Sequence, residues 1–221
     1  MPAIMRLYED VLSNDAALRL ALPALPRMIF VVHGSALIEG RALSDGEAWH
    51  GEAPVTLAPG SGGVTCWRFE LAPADAAEGG VAGSAVVSRQ KLAAVVETLP
   101  AGDLLLRGDS VTFPPGGCAF RHRHQGPGIR CLIEGGIRID THGSSTSYGP
   151  GGAWYESGPD PVFAQAAPDR ATRFIRMMIL PRALLGKSSI EYLDPHDKEW
   201  PKPQSYQGFA DAPISFSAAR R

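Results

Sequence analysis

Two histidines one residue apart, His122 and His124 in the run Phe120-Arg121-His122-Arg123-His124, carry the clearest chemical signal in this chain. Alternate residues of a strand share a face, so both imidazoles can meet one metal ion. The plainer alternative is a pair of strand histidines that only hydrogen-bond on a sheet surface. His33, His50, His142 and His196 fall in turns or in the first half of the chain and read as surface histidines. The chain holds no Gly-x-Ser-x-Gly elbow, no phosphate-binding Gly-x-x-x-x-Gly-Lys loop and no dinucleotide fingerprint, so its glycines are turn glycines.

The elements that must position the histidines are strands. The 221 residues include 25 Gly and 19 Pro, and runs such as Pro114-Pro115-Gly116-Gly117 and Gly149-Pro150-Gly151-Gly152 punctuate short apolar stretches, which predicts an all-β protein. Two minor helices are expected, at Ser13–Leu22 and at Ser88–Thr98, where Ser88 precedes apolar Leu92, Val95 and Val96. From Gly186 onward, Pro195, Pro201, Pro203 and Pro213 predict an extended tail outside the core, lying across the body or a neighbouring subunit.

Composition narrows the partners. The 44% hydrophobic content suffices for a substantial core without staples. A formal net charge of -2 with dispersed Lys and Arg argues against nucleic acid. No apolar run approaches the length of a membrane helix, and Met1 to Tyr8 lack a leader pattern, so the expectation is a soluble cytoplasmic protein. Cys66, Cys118 and Cys131 form no close metal-binding pair, and their odd number suits reduced thiols. Counting by twos from His122 puts Cys118 on the histidines' face, although a small buried core residue is the favoured reading.

The chain also repeats itself in order. Phe30-Val31-Val32-His33-Gly34 resembles Cys131-Leu132-Ile133-Glu134-Gly135. Gly46-Glu47-Ala48-Trp49-His50 resembles Gly151-Gly152-Ala153-Trp154-Tyr155, and Thr65-Cys66-Trp67-Arg68 through Pro73 resembles Arg173-Phe174-Ile175-Arg176 through Pro181. The separation between matching positions widens steadily, from Gly34 and Gly135 through Trp49 and Trp154 to Pro73 and Pro181, as slightly longer loops in the second copy would produce.

With Gly116, His122, His124 and Gly135 in this frame, the chain resembles the cupin superfamily, whose first motif is a glycine, five residues, His-x-His, then a glutamate and a glycine. The resemblance covers roughly residues 25 to 182. It implies jelly-roll barrels with a metal inside, here a bicupin: a degenerate first cupin half over 1–85, a barrel carrying the motif over 86–185 and the tail over 186–221. It also implies a homodimer paired through edge strands.

Departures from the motif matter as much. The motif's glutamate falls on Gly128, and the second motif offers no histidine near Val162. Glu156, in Trp154-Tyr155-Glu156, is the replacement ligand that the frame suggests, unless it sits at a solvated strand end. A two-histidine, one-carboxylate set suits Fe(II) oxygen chemistry and tolerates Mn, Ni or Zn. Projected onto the first copy, His122, His124 and Glu156 become Ala21, Pro23 and Gly51, and this joint absence fits one site lost from a barrel that became structural. Arg130, turned inward by the frame, would hold a substrate carboxylate bidentately or pair with Glu156. Phe120 and Trp154 share the inward parity and would wall a small organic ligand, or simply pack the core.

Three functions follow as expectations. The first is a metal-dependent enzyme, dioxygenase-like or a lyase or isomerase, acting on a small organic acid. The second is a non-catalytic binding or sensing barrel, and the third a structural dimerisation module with a filled interior.

Overall fold

The computed structural model describes residues 2–15 and 17–216. Strands dominate it, as the turn-rich sequence predicts, and they build two compact units. One runs to Thr98 and includes the chain from Ile214; the other spans Leu99–Pro213.

The first unit is one eight-stranded antiparallel sheet. Its strands are β1 (Ala3–Leu12), β2 (Leu20–Leu22), β3 (Arg27–Ile38), β4 (Arg41–Ser44), β5 (Ala48–Gly51), β6 (Val55–Pro73), β7 (Ala82–Gly83) and β8 (Val86–Val96). The order is β4-β3-β6-β1-β8-β7, with β2 on β6 and β5 on β3. Ile29, Val31, Ile38, Leu57 and Cys66 meet in its core. Two sequence expectations change here. Where a helix is expected over Ser88–Thr98, the chain is strand β8 as far as Val96, pairing with β1 on both sides of one register shift, and its β-branched Val86, Val87, Val95 and Val96 suit a pleated surface. This also carries the division between units to 98/99 rather than 85/86. The helix expected over Ser13–Leu22 gives way to a turn, where the Asp15 carboxylate accepts a hydrogen bond from the Ala17 amide, and then to β2, whose buried-exposed-buried pattern has period two. Ala16, inside that span, lies outside the described residues.

The second unit is a pair of five-stranded antiparallel sheets. It comprises β9 (Leu104–Phe113), β10 (Cys118–His124), β11 (Gly128–Glu134), β12 (Ile137–Thr141), β13 (Ser144–Tyr148), β14 (Ala153–Glu156), β15 (Val162–Ala166), β16 (Thr172–Pro181), β17 (Ile190–Tyr192) and β18 (Ser205–Ile214). The sheet orders are β13-β12-β15-β10-β17 and β14-β11-β16-β9-β18. Ala119, Ile139 and Ala164 from one sheet meet Val111, Leu132, Trp154 and Phe174 from the other in a single core, a jelly-roll layout. The described residues after Gly186 do lie across the body, but as strands that join the two sheets and not as chain outside the core. β17 pairs with β10 and β18 flanks β9, because Asp211 binds both the Arg107 guanidinium and the Gly186 amide while Ser189, Gln204 and Ala210 are buried.

Each unit holds a buried Arg–Asp fork, and its arginine, Arg68 or Arg176, stands at the matching place in the repeated segments. Arg68 Nε and Nη2 donate to Asp10 at 2.6 and 3.1 Å; Arg176 Nε and Nη2 donate to Asp109 at 2.6 and 2.9 Å. Gly34 and Gly135 also match. Their φ angles are +89° and +83°, and a Cβ at either would strike a backbone oxygen, that of Gly63 or of Ala171, so only glycine serves there.

Candidate functional site

The histidines sit on β10, which alternates exposed Arg121 and Arg123 with buried His122 and His124. Their rings lie 4.9 Å apart, edge to face. His122 Nδ1 is 2.6 Å from the carbonyl oxygen of Phe120; a carbonyl only accepts, so this nitrogen carries the proton of the neutral ring and Nε2 keeps its lone pair. His124 Nδ1 faces the Ser189 hydroxyl at 3.3 Å. Its Nε2 faces Glu156 Oε2 at 3.7 Å. His124, Glu156 and Arg130 thus come together as the sequence suggests, and Trp154 stands beside them.

Glu156 is placed by β14, where Gly128 is its direct partner on β11. The carboxylate therefore stands across the ladder from the position where the motif's glutamate is missing. That position has no room for a side chain. A Cβ on Gly128 would lie 2.7 Å from the Met177 carbonyl oxygen and from Met178 Cγ, and 2.9 Å from Arg130 Nη1. The Arg130 guanidinium takes up this space, with Nη1 donating to the Gly128 carbonyl at 2.7 Å and Nη2 lying 2.7 Å from Glu156 Oε2. The last contact is an ion pair without an aligned hydrogen bond, so the buried Oε2 accepts none. The other oxygen, Oε1, accepts from Trp154 Nε1 at 2.9 Å. Trp154 in turn stacks on Tyr148, with centroids 5.0 Å apart, and meets Phe174 edge-on, so the carboxylate hangs from a rigid aromatic cluster.

Phe120 stands elsewhere. The register of β10 on β15 shifts between Ala119 and His122, and this irregularity reverses the parity counted back from the histidines. Ala119 lines the interior in its place, while Phe120 and half-buried Cys118 lie on the other face, with Lys202 Nζ 5.8 Å from the Phe120 ring. Phe120 is thereby removed from the wall of the site.

Charge around the histidines is dense and buried. Burial pushes Arg130 down to about 10, a shift that nearby Glu156 opposes and Arg176 assists, so it stays protonated at neutral pH. Burial is also the first cause that lowers both imidazoles, with Arg130 and Arg176 adding to it. Both rings are neutral at pH 7, the state in which imidazole ligates. A group whose folded pKa is depressed leaves the unfolded chain to bind the proton first. This part of the stability is present above about pH 6.5 and lost as the pH falls below it. The thermal midpoint of chelator-treated protein is therefore expected to drop between pH 7.5 and 5, and the His122→Ala, His124→Ala double variant to show a flatter profile.

His122, His124, Arg130, Trp154 and Glu156 line a cavity of about 30 Å³, enough to admit a water molecule or an ion. Arg176, Ile190 and Tyr206 line it too, and they also line a second cavity of about 330 Å³ that extends along Arg107, Lys187, Ser188 and Asp211. Arg176, Asp109 and Tyr206 carry no motif that marks them in the sequence. The available signal is one charged residue at the same place in both repeated apolar strands, Arg68 and Arg176.

Among the described residues, no three His, Cys, Asp or Glu side chains are arranged to hold a metal ion as they stand. The donor types fit a divalent ion nonetheless: an imidazole with a free Nε2, a neutral second imidazole, and a buried carboxylate oxygen that accepts no hydrogen bond. Arg130 Nη2 stands 2.7 Å from that same Oε2.

No family model and no curated protein sequence matches the chain. Solved structures do match it in fold. AerE from Microcystis aeruginosa is 12% identical with a TM-score of 0.55, over 79% of this chain and 87% of that one. A variant of salicylate 1,2-dioxygenase from Pseudoaminobacter salicylatoxidans is 13% identical with a TM-score of 0.53, over 78% and 70%. A variant of oxalate decarboxylase from Bacillus subtilis is 11% identical with a TM-score of 0.52, over 92% and 77%. These are cupin-type proteins, and the all-β jelly-roll architecture of this chain is the cupin fold. Among the described residues no helix is long and apolar enough to cross a membrane.

Proposed function

We propose that this chain is a cytoplasmic, homodimeric bicupin with a degenerate first copy, whose second unit is a metal-dependent enzyme acting on a small carboxylate-bearing molecule. The observation that carries the reading is the convergence of two neutral buried imidazoles and the orphaned Glu156 oxygen on one ion-sized cavity. His122, His124 and Glu156 would hold the ion, of the Fe, Mn, Ni or Zn class. Bound there, it would polarise a substrate oxygen or activate dioxygen, with dioxygenase-like chemistry favoured by the ligand types over lyase or isomerase chemistry.

The chain's own residues do the rest. The 30 Å³ cavity excludes an organic body, so the substrate occupies the 330 Å³ cavity and presents its polar end past Arg176, Ile190 and Tyr206. Arg130 supplies a fixed guanidinium for the carboxylate. Trp154 holds Glu156 in place through Nε1 and closes the apolar side. The names of two fold relatives, salicylate 1,2-dioxygenase and oxalate decarboxylase, support a carboxylate as the substrate class.

A second reading, a non-catalytic binding barrel, is favoured by one observation: Arg130 already neutralises Glu156 at 2.7 Å. Calorimetric titration of salicylate into Mn(II)-loaded and into chelated protein separates the two. The enzyme reading expects binding at least about tenfold tighter with the metal, equivalent to about 1.4 kcal/mol. Equal affinity in both preparations supports the binding barrel instead.

A further inference from the structure

The first unit lacks the histidines, yet its interior is not inert. A cavity of about 470 Å³ opens there, lined by Leu22, Leu25, Pro73 and Val81 on its apolar side and by Arg6, Arg68 and Glu70 at its polar end. Ala21 and Pro23, the residues onto which the two histidines project, line it as well.

The polar end has unused valences. Arg6 and Glu70 are direct cross-strand partners on β1 and β6, and opposite charges so placed normally pair. These two do not pair with each other. Arg6 sends Nη1 and Nη2 to the carbonyls of Ala77 and Ala76, both at 2.6 Å, and its buried Nε has no hydrogen-bond partner. Glu70 Oε1 lies 3.0 Å from Arg27 Nη2 and 2.8 Å from Arg68 Nη1, while its buried Oε2 accepts no hydrogen bond. Arg6 is 4% exposed and Glu70 1%. Three buried arginines, Arg6, Arg27 and Arg68, stand with two buried carboxylates, Asp10 and Glu70, and the exposed Glu78 also lines the cavity. An orphaned donor and an orphaned acceptor on facing side chains, under apolar walls, make a cradle of the kind that fixes a small ligand.

We propose that this cavity is a second ligand site, for a small organic acid with an apolar body and a hydroxyl beside its carboxylate. The carboxylate lies at Arg6 and accepts from its unpartnered Nε, the hydroxyl donates to Glu70 Oε2, and the body lies along Leu22, Leu25 and Val81. Gly79, on the cavity wall, is held by two hydrogen bonds: its amide donates to the Tyr8 hydroxyl at 2.9 Å and its carbonyl accepts from Arg68 at 2.9 Å.

The test is calorimetric titration of 2-hydroxyisocaproate, and of 4-methylvalerate, which lacks the hydroxyl, into chelated full-length protein. Three proteins are compared: the natural chain, Ala24→Trp, which places a ring at the exposed rim of the cavity without removing a buried charge, and the His122→Ala, His124→Ala variant. We expect the hydroxy acid to bind about tenfold tighter than 4-methylvalerate, the worth of one hydrogen bond to a charged group. Ala24→Trp should abolish the binding and the histidine variant should keep it. Absence of binding to the natural chain, or binding that survives Ala24→Trp, overturns the proposal. Binding lost in the histidine variant assigns the acid to the second unit and overturns it equally.

Discussion

Asp109→Ala should destabilise the second unit by about 3–5 kcal/mol, the usual cost of removing one partner of a buried ion pair. Asp109 and Arg176 are each 6% exposed, and the fork between them is bidentate. Without Asp109 the guanidinium stays charged in the interior, with Glu156 as the nearby carboxylate that raises its pKa. The penalty is that of an uncompensated charge rather than the net worth of the pair. Replacing both partners together, Asp109→Leu with Arg176→Met, should therefore recover most of the loss. Denaturant unfolding of the single and double variants measures it, and a single-variant loss below about 1 kcal/mol would mean that water reaches Arg176.

The second large effect concerns Arg130. Arg130→Met removes the cation that lies 2.7 Å from Glu156 Oε2 and leaves a buried carboxylate with only the Trp154 hydrogen bond on its other oxygen. The metal-free variant should lose about 3 kcal/mol or more of stability. A divalent ion then has no internal competitor, and its affinity should rise about ten- to a hundredfold, the range in which groups surrounding metal ligands act. Added Mn(II) should accordingly raise the thermal midpoint of Arg130→Met more than that of the natural chain. An unchanged metal affinity would take Glu156 out of the ligand set.

What is legible in the sequence follows from which signals are local. His122 and His124 are neighbours on one strand face with no register shift between them, so period-two counting places both correctly. The same counting fails for Phe120 because the irregularity of β10 falls between Ala119 and His122, and nothing in the residues marks it. Arg130 and Glu156 emerge through the family frame, but the absence of room at Gly128 depends on Met177 and Met178, which a different strand, β16, brings alongside. The Arg176–Asp109 fork likewise joins β16 to β9, beyond any periodicity. The expected helix over Ser88–Thr98 fails for a related reason: β1, at the far end of the first unit's sequence, supplies the backbone partners that make β8 a strand. The first unit shows the limit most clearly. Loss of the histidines at Ala21 and Pro23 reads as loss of a site, whereas the charged residues of its interior, Arg6, Asp10, Arg27, Arg68 and Glu70, are scattered over β1, β3 and β6 and meet only in the folded sheet.

Metal content decides the central claim most directly. Elemental mass spectrometry on protein purified without a histidine tag, beside the His122→Ala, His124→Ala double variant, should find near-stoichiometric iron, manganese, nickel or zinc in the natural chain and almost none in the variant. Protein that is empty as purified and stays empty after incubation with each of these ions would contradict the account and leave the second unit a metal-free binding barrel.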